Sequence, residues 1–411
     1  MTIRDASAGI CAPSRPRRRA ALPALCTTEI TSWGVLYYAF PVLAPRISRD
    51  TGWSAPSVAA AFSAALVVSA LIGVPLGRYL DRRGPRVVMT AGSLIAVPAI
   101  LGVAAAPSLL WFAAAWLVVG VSMSALLYPP AFAAVTGWFD GAERTRALTT
   151  VTLVGGLAST VFAPLTAALA EHFSWRTTYV LLAVVLAVVT LPLHTLCLRS
   201  PWPSRSSRTS RHVRRPERSV VLSQPFLVLA AAMTLASFAF AAGVINLVPL
   251  MTHRGASPSA AAWALGIGGV GQVLGRLGYA ALIRRTSVHS RTVLAFLAGA
   301  VTTLALGVLP GPVLLLIVCS LVAGMVRGIA TLLQATAITD RWGVASYATL
   351  SGILAAPVLA ATALAPWAGA GIAAALGGYP ALFVALAAVS AAAGLLVGVG
   401  GQGPKNRGAG L

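Results

Sequence analysis

Residues 73–86, GVPLGRYLDRRGPR, join two apolar runs through a burst of charge at Asp81, Arg82 and Arg83. Gly84 and Pro85 stop the first helix, Arg86 follows, and a second apolar run begins at Val87. Glycine just past a helix end takes a left-handed backbone without steric cost, and arginines suit helix C-termini or lipid phosphates. The stretch therefore reads as a tight turn between two membrane-spanning helices. Gly77 follows Gly73 by four residues on one helical face, a spacing that lets helices approach closely. Asp81, Arg82 and Arg86, with Gly77 and Gly84 shaping the turn, read as a gate, because an acid ending a helix beside basic residues can hold two halves of a protein together. The expected partners are Arg284, Arg285 or the Asp340-Arg341 pair.

Composition around that turn agrees with a membrane protein. The chain has 411 residues, 58% hydrophobic and only 9% charged, with mean hydropathy +0.85. Soluble domains carry about 25% charged residues. The 30 basic and 9 acidic residues leave a net charge of +21. These charges sit in short segments between long apolar runs, which indicates an anionic lipid surface as partner and not nucleic acid. Cys11, Cys26, Cys197 and Cys319 show neither metal nor disulfide spacing. The sequence contains no G-x-x-x-x-G-K-[ST] loop, no G-x-S-x-G elbow and no His/Cys cluster. No catalytic residue, metal or cofactor is expected, and ATP drive within this chain is not.

Twelve apolar runs lie near 25–45, 57–79, 87–106, 109–130, 147–169, 177–198, 225–250, 260–283, 292–309, 312–338, 345–367 and 379–400. Each is roughly 18–27 residues, the length that spans a hydrocarbon core of about 30 Å. The fourth has a soft end and can continue to Phe139. Residues 1–22 read as a disordered basic arm. An uncleaved first helix is preferred over a signal peptide, since eleven spans follow it. Residues 199–222, rich in Pro, Ser and Arg, read as a linker between an N-terminal bundle (23–198) and a C-terminal bundle (223–400), with 401–411 as a tail. With the N-terminus inside, four of the 30 basic residues (Arg46, Arg49, Arg176, Arg254) fall outside, two (Arg276, Arg327) lie within spans, and the other 24 are cytoplasmic. That asymmetry puts both termini in the cytoplasm. A bacterial plasma membrane and a monomer are the expected setting.

The halves echo each other. Trp175-x-x-x-Tyr179-Val180 recurs as Tyr379-x-x-x-Phe383-Val384 at an offset of 204, and Arg82-Arg83 meets Arg284-Arg285 at 202. Gly73-x-x-Leu76-Gly77-Arg78 echoes Gly271-x-x-Leu274-Gly275-Arg276 at 198. The registers disagree, so the repeat holds at the level of spans. Ile283 stands where Asp81 would recur.

The turn at 73–86 resembles the loop signature of the major facilitator superfamily, G-x-x-x-D-R-x-G-R-R between helices two and three. Gly77, Asp81, Arg82, Gly84 and Arg86 match, and Pro85 replaces a basic residue. Residues 32–54 (SWGVLYYAFPVLAPRISRDTGWS) resemble the first helix and outer loop of the superfamily's monocarboxylate and oxalate/formate branch. Residues 137–148 (GWFDGAERTRAL) resemble that branch's inner loop between helices four and five. The resemblance covers about residues 30–395. It implies an all-α membrane protein of 12 transmembrane helices in two six-helix pseudo-symmetric halves, moving a small-molecule substrate by alternating access. Residues 152–165 lack the G-x-x-x-G-P-x-x-G-G pattern of drug–proton antiporters.

Polar residues inside spans are the site candidates. Arg327 sits near the middle of the tenth run, where a charge costs several kcal/mol and faces a bundle interior or wet cavity. Thr331 and Gln334 share its helical face, and Gly324 and Gly328 flank it and leave space. Arg327 is read as gripping a carboxylate, with structural pairing to another helix as the alternative. Glu29 lies about 9 Å along the first helix from Pro23, with Trp33 and Tyr37 on the same face. Two roles fit it: a coupling-proton carrier, or an interfacial glutamate hydrated from the cytoplasm or paired with Arg15–Arg19. Arg276, near the inner end of helix eight, is expected to snorkel, with contact to the substrate as the alternative. In the family, helices one, four, seven and ten line the cavity, so the resemblance implies that Glu29, Tyr37, Tyr128, Asn246, Arg327 and Gln334 meet there. The resulting expectation is a secondary transporter of an organic anion, with Arg327, Thr331, Gln334, Tyr37, Tyr128 and Asn246 contacting it and Glu29 carrying a proton. Export of a drug or metabolite, or a membrane sensor that moves nothing, are the alternatives.

Overall fold

Serine residues start many of the helices. Ser54, Ser108, Ser174, Ser257 and Ser287 each hold an extended backbone and accept, on the side-chain oxygen, the N–H three residues on. This satisfies one of the four donors that a helix start leaves open, which matters where no water can. Gly52 and Gly84 close helices with φ of 74° and 79°.

The structure is a computed structural model that describes residues 15–202, 218–342 and 347–400. The expected N-terminal arm to residue 14, the linker between 203 and 217, and the tail 401–411 lie outside the described residues. α1 (Arg15–Trp33), a π turn (Gly34–Tyr38) and α2 (Ala39–Thr51) form the first pass. α3 (Ala55–Arg83), α4 (Pro85–Ala104) and then α5 (Leu109–Leu126) with α6 (Tyr128–Trp138) follow. α7 (Gly141–Gly156) with α8 (Ala158–His172), and α9 (Trp175–Cys197), end the first half. A short α10 (Arg218–Val221) leads to α11 (Gln224–Ile245), which bends into α12 (Leu247–His253). α13 (Pro258–Arg285), α14 (Val288–Val308), α15 (Val313–Thr336), the short α16 (Thr339–Trp342), α17 (Tyr347–Ala375) and α18 (Tyr379–Gly400) complete the second half. Among the described residues, ten helices are long and apolar enough to cross a membrane. The π turn interrupts the first pass, and Gln272, Arg276 and six glycines dilute α13. The chain is a multi-pass integral membrane protein.

The packing repeats between halves. α3 packs on α5 as α13 packs on α15; α4 packs on α9 as α14 packs on α18; α1 packs on α9 as α11 packs on α18. Across the halves, α3 meets α17 and α8 meets α13. A methyl group at Gly120 would strike the Ala65 backbone, and one at Gly324 would strike the Gly268 backbone. Gly120 and Gly324 are 204 apart, the offset of the Trp175 and Tyr379 echoes.

That register corrects an expectation. Gly73 and Gly77 have open space around them and mediate no close helix contact. Gly271 and Gly275, their apparent echoes at 198, lie against the Leu321 and Met325 backbone of α15. The similarity is local wording, not equivalent position. Gly324 and Gly328 likewise do not leave space beside Arg327; they let α15 touch the backbone of Gly268 and Gln272.

Three further boundaries differ from expectation. α1 is helical from Arg15, so the expected arm enters the first helix before Pro23. The fourth pass runs to Trp138, because Pro129 and Pro130 occupy the first turn of α6, where no backbone donor is needed. Leu198, Ser200 and Trp202 pack against the first bundle at the start of the expected linker.

Three of the four arginines placed outside have a backbone reason to be there. Arg46 donates to the Ala170 carbonyl, Arg176 to that of Ala104 and Arg254 to that of Gly307, each close to a helix C-terminus. The first half is knit by aromatics: Phe40 stacks on Phe62 at 4.1 Å, and Trp116 meets Phe62 edge-on at 5.1 Å. The second half relies on bare glycine contacts between α13 and α15. Gly271→Val is therefore expected to cost about 1–3 kcal/mol by overpacking. It should lower the thermal-unfolding midpoint of the detergent-purified protein, whereas Gly73→Ala should leave the midpoint unchanged.

Candidate functional site

The π turn at Gly34–Tyr38 inserts an extra residue into the first pass, a feature common at functional sites. Gly34 at its start lies against the Phe162 ring, with no room for a side chain. Trp33, Tyr37 and Tyr38 then all line one cavity of ≈ 350 Å³ between the halves. That size falls in the range of about 300–1,000 Å³ typical of small-molecule sites.

Arg327 lines this cavity from α15, with Gln334 and Thr331 on the turns beyond it. Among the described residues, no hydrogen bond or ion pair engages its guanidinium. The Thr331 hydroxyl donates to the Arg327 carbonyl at 2.8 Å, which ties it to its own helix. Tyr128, at the start of α6, completes the wall beside Trp33, with ring centroids 5.0 Å apart.

Glu29 lies behind that wall. It is fully buried, so the hydrated interfacial alternative does not hold. Its Oε2 accepts the Trp33 indole N–H at 3.1 Å, and Oε1 has no partner among the described residues. The alternative pairing with Arg15–Arg19 falls on side chains outside the described residues.

Asn246 is not in the central cavity. It marks the break between α11 and α12, donates from Nδ2 to the Ala242 carbonyl at 2.9 Å, and lines a separate cavity of ≈ 440 Å³ with Arg49 and His253. Its amide supports a helix bend, and it lies outside the cavity that the other five expected contacts line.

Arg276 does not snorkel. It is 8% exposed, lines the cavity and donates across the halves to the Thr152 carbonyl in the last turns of α7. Gly266, Gly269, Val273 and Arg276 recur at helical spacing in the sequence. Gly266 and Gly269 on that face approach α8, and Val273 and Arg276 approach Gly156. Tyr38 and Gln272 also line the cavity and were assigned no role from the sequence.

The turn at 73–86 is built as read. Gly84 holds φ 79° and donates to the Leu80 carbonyl at 2.8 Å. Trp202 packs over Gly84 and Gly137 and donates its indole N–H to the Asp81 carbonyl at 3.0 Å. Arg86, Asp340 and Arg341 each make a contact within their own half among the described residues. Arg86 donates to the Thr195 carbonyl at 3.1 Å within its own half. Asp340 pairs with Arg291 at 2.9 Å, and Arg341 donates to Thr292 at 2.8 Å, both within the second half. These residues anchor loops to their own bundles.

Residues 25–356 match the family model of the Major Facilitator Superfamily. The chain belongs to this family.

Within the Major Facilitator Superfamily it is similar to Monocarboxylate transporter 13 of Rattus norvegicus, 26% identical over 259 residues, covering 62% of this chain and 57% of that protein. Monocarboxylate transporter 13 of Bos taurus is 28% identical over 261 residues, again covering 62% and 57%. The match thus spans a little over half the length of these relatives. Among solved structures, the fold is similar to a bacterial homologue of the human lysosomal transporter Spinster in an inward-facing and occupied conformation. The TM-score is 0.76 at 16% identity, covering 94% of this chain and 97% of that one.

Trp33 joins the cavity wall to the buried acid, and this superfamily member can be probed there. Trp33→Phe leaves both Glu29 oxygens without a partner, an expected cost of about 1–3 kcal/mol. The loss, read as a lower unfolding midpoint, should be smaller in a Glu29→Met background, where no buried oxygen is left behind.

Proposed function

We propose that the protein is a secondary active transporter of a small organic anion, working by alternating access of the ≈ 350 Å³ cavity. One observation carries this reading: the Arg327 guanidinium faces the cavity with no ion pair or hydrogen bond among the described residues. A desolvated cation without a counter-charge is costly, and a carboxylate supplies the charge and a matching bidentate geometry. Arg327 would hold the anionic head, while Gln334 and the Tyr37 hydroxyl orient it. Thr331 would space the helix face, its hydroxyl being committed to the backbone. The similarity to relatives named as monocarboxylate transporters supports the same substrate class.

Glu29 is the proposed carrier of a coupling proton. It is buried, its only hydrogen-bond donor among the described residues is Trp33, and Trp33 lines the cavity. The end of the molecule that carries most arginines would face the cytoplasm, following the positive-inside rule. Asp81, Arg82 and Arg86, with Gly77 and Gly84, would act on the gate through the shape of their own bundle's end.

Proteoliposome uptake tests this. Arg327→Ala is expected to lower carboxylate uptake at least about tenfold, the scale of a lost charged hydrogen-bond pair. Uptake at the wild-type rate by Arg327→Ala would end the anion-site reading. Glu29→Gln is expected to retain exchange of solute for solute while losing acceleration by an imposed pH gradient. Gradient-driven uptake that survives in Glu29→Gln would remove Glu29 from the coupling.

A further inference from the structure

The organic-anion reading leaves open what the anion is attached to, and the cavity walls address that question. Two cations line the cavity. Arg276 donates from one nitrogen to the Thr152 carbonyl across the halves and keeps its charge. Arg327 has no hydrogen bond or ion pair among the described residues, and Gln272, Gln334 and Thr331 are neutral. Arg327 is therefore the cation most open to an anionic head.

The remaining wall on the first-half side is aromatic and continuous. The Trp33 ring lies 5.3 Å from Tyr37, 6.4 Å from Tyr38 and 5.0 Å from Tyr128. Tyr37 and Tyr38 are 5.2 Å apart. The wall is also held in place from behind. Glu29 fixes the Trp33 indole at 3.1 Å, and Phe132 stacks on Tyr128 at 5.0 Å with an interplanar angle of 16°. The opposite wall, including Met233, Val244, Phe240 and Phe296, carries no charge.

An acid of two or three carbons would fill only part of a cavity of ≈ 350 Å³. A second charge placed toward Met233, Phe240 and Phe296 would meet apolar side chains, and an unpaired charge in such surroundings is expensive. Flat rings, in contrast, gain offset or edge-to-face contacts with fixed aromatic side chains. We infer that the solute is a monocarboxylate bearing a flat aromatic ring, its carboxylate on Arg327 and its ring against the Trp33–Tyr37–Tyr38–Tyr128 wall. This inference rests on the organic-anion reading and narrows it.

Calorimetric titration of the wild-type protein in detergent with phenylacetate, cyclohexylacetate, acetate, succinate and phenethylamine separates the possibilities. Phenylacetate is expected to bind about tenfold tighter than acetate and succinate, and several-fold tighter than the saturated ring of equal size. Tyr128→Leu should shrink the phenylacetate-to-acetate ratio, and Tyr128→Phe should restore it. Acetate or succinate binding as tightly as phenylacetate overturns the ring-bearing substrate while leaving the anion site standing, provided Arg327→Gln weakens them. Cyclohexylacetate matching phenylacetate overturns stacking as the basis of selection. Phenethylamine binding with no carboxylate bound, or no binding by any of the five, overturns both the inference and the anion reading beneath it.

Discussion

A guanidinium withdrawn from water must be given something in its place, because a bare charge in hydrocarbon costs several kcal/mol. Most arginines drawn into this protein have a substitute. Arg46, Arg176 and Arg254 take carbonyls near helix C-termini, where the helix dipole also favours a cation. Arg276 takes the Thr152 carbonyl near a break between two helices, and Arg291 takes Asp340. Arg327 is the exception among the described residues. Its position beside a cavity means that the missing partner can be delivered and removed, which a structural arginine does not need.

The two halves contribute unlike materials to that cavity. Aromatic packing braces the first half, and it ends in the wall of Trp33, Tyr37, Tyr38 and Tyr128. In the second half, glycines of α13 and α15 bring backbones together, so Arg327 is placed by a helix seated directly on its neighbour. A ligand holding the cation and the aromatic wall at once touches both halves. Only such a ligand has different contacts in the two states of an alternating pair, and only different contacts can shift their balance.

How far the sequence revealed this depends on which physics each residue answers to. Span lengths, the turn at 73–86 and the Arg327 face follow from hydrocarbon thickness, glycine at a helix end and helical period, all local quantities. Five of the six residues expected to contact substrate do line one cavity. Asn246 failed because a span polar group can serve its own helix bend as readily as a cavity. Gly73 and Gly77 failed because spacing shows that a face is bare and not whether a neighbour is there to meet it. Arg276 was read from its depth alone, and the contacts that its face makes with α8 and Gly156 are ones that spacing does not show. The hold of Trp202 on Asp81 joins residues 121 positions apart, and no local pattern signals it.

The placement of Glu29 links the two proposed roles without a separate relay. Trp33 touches the cavity with its ring and Glu29 with its N–H, so one rigid indole reports to both. Oε1 of Glu29 has no partner among the described residues, and the other oxygen depends on the orientation of that indole. A ring stacked on the wall presses on the same group that satisfies the acid. In the proposed cycle, any shift of Trp33 when the cavity fills or empties alters the only hydrogen bond Glu29 has among the described residues, and a buried carboxyl is sensitive to losing one. The coupling of proton to solute then requires movement of a single side chain between them.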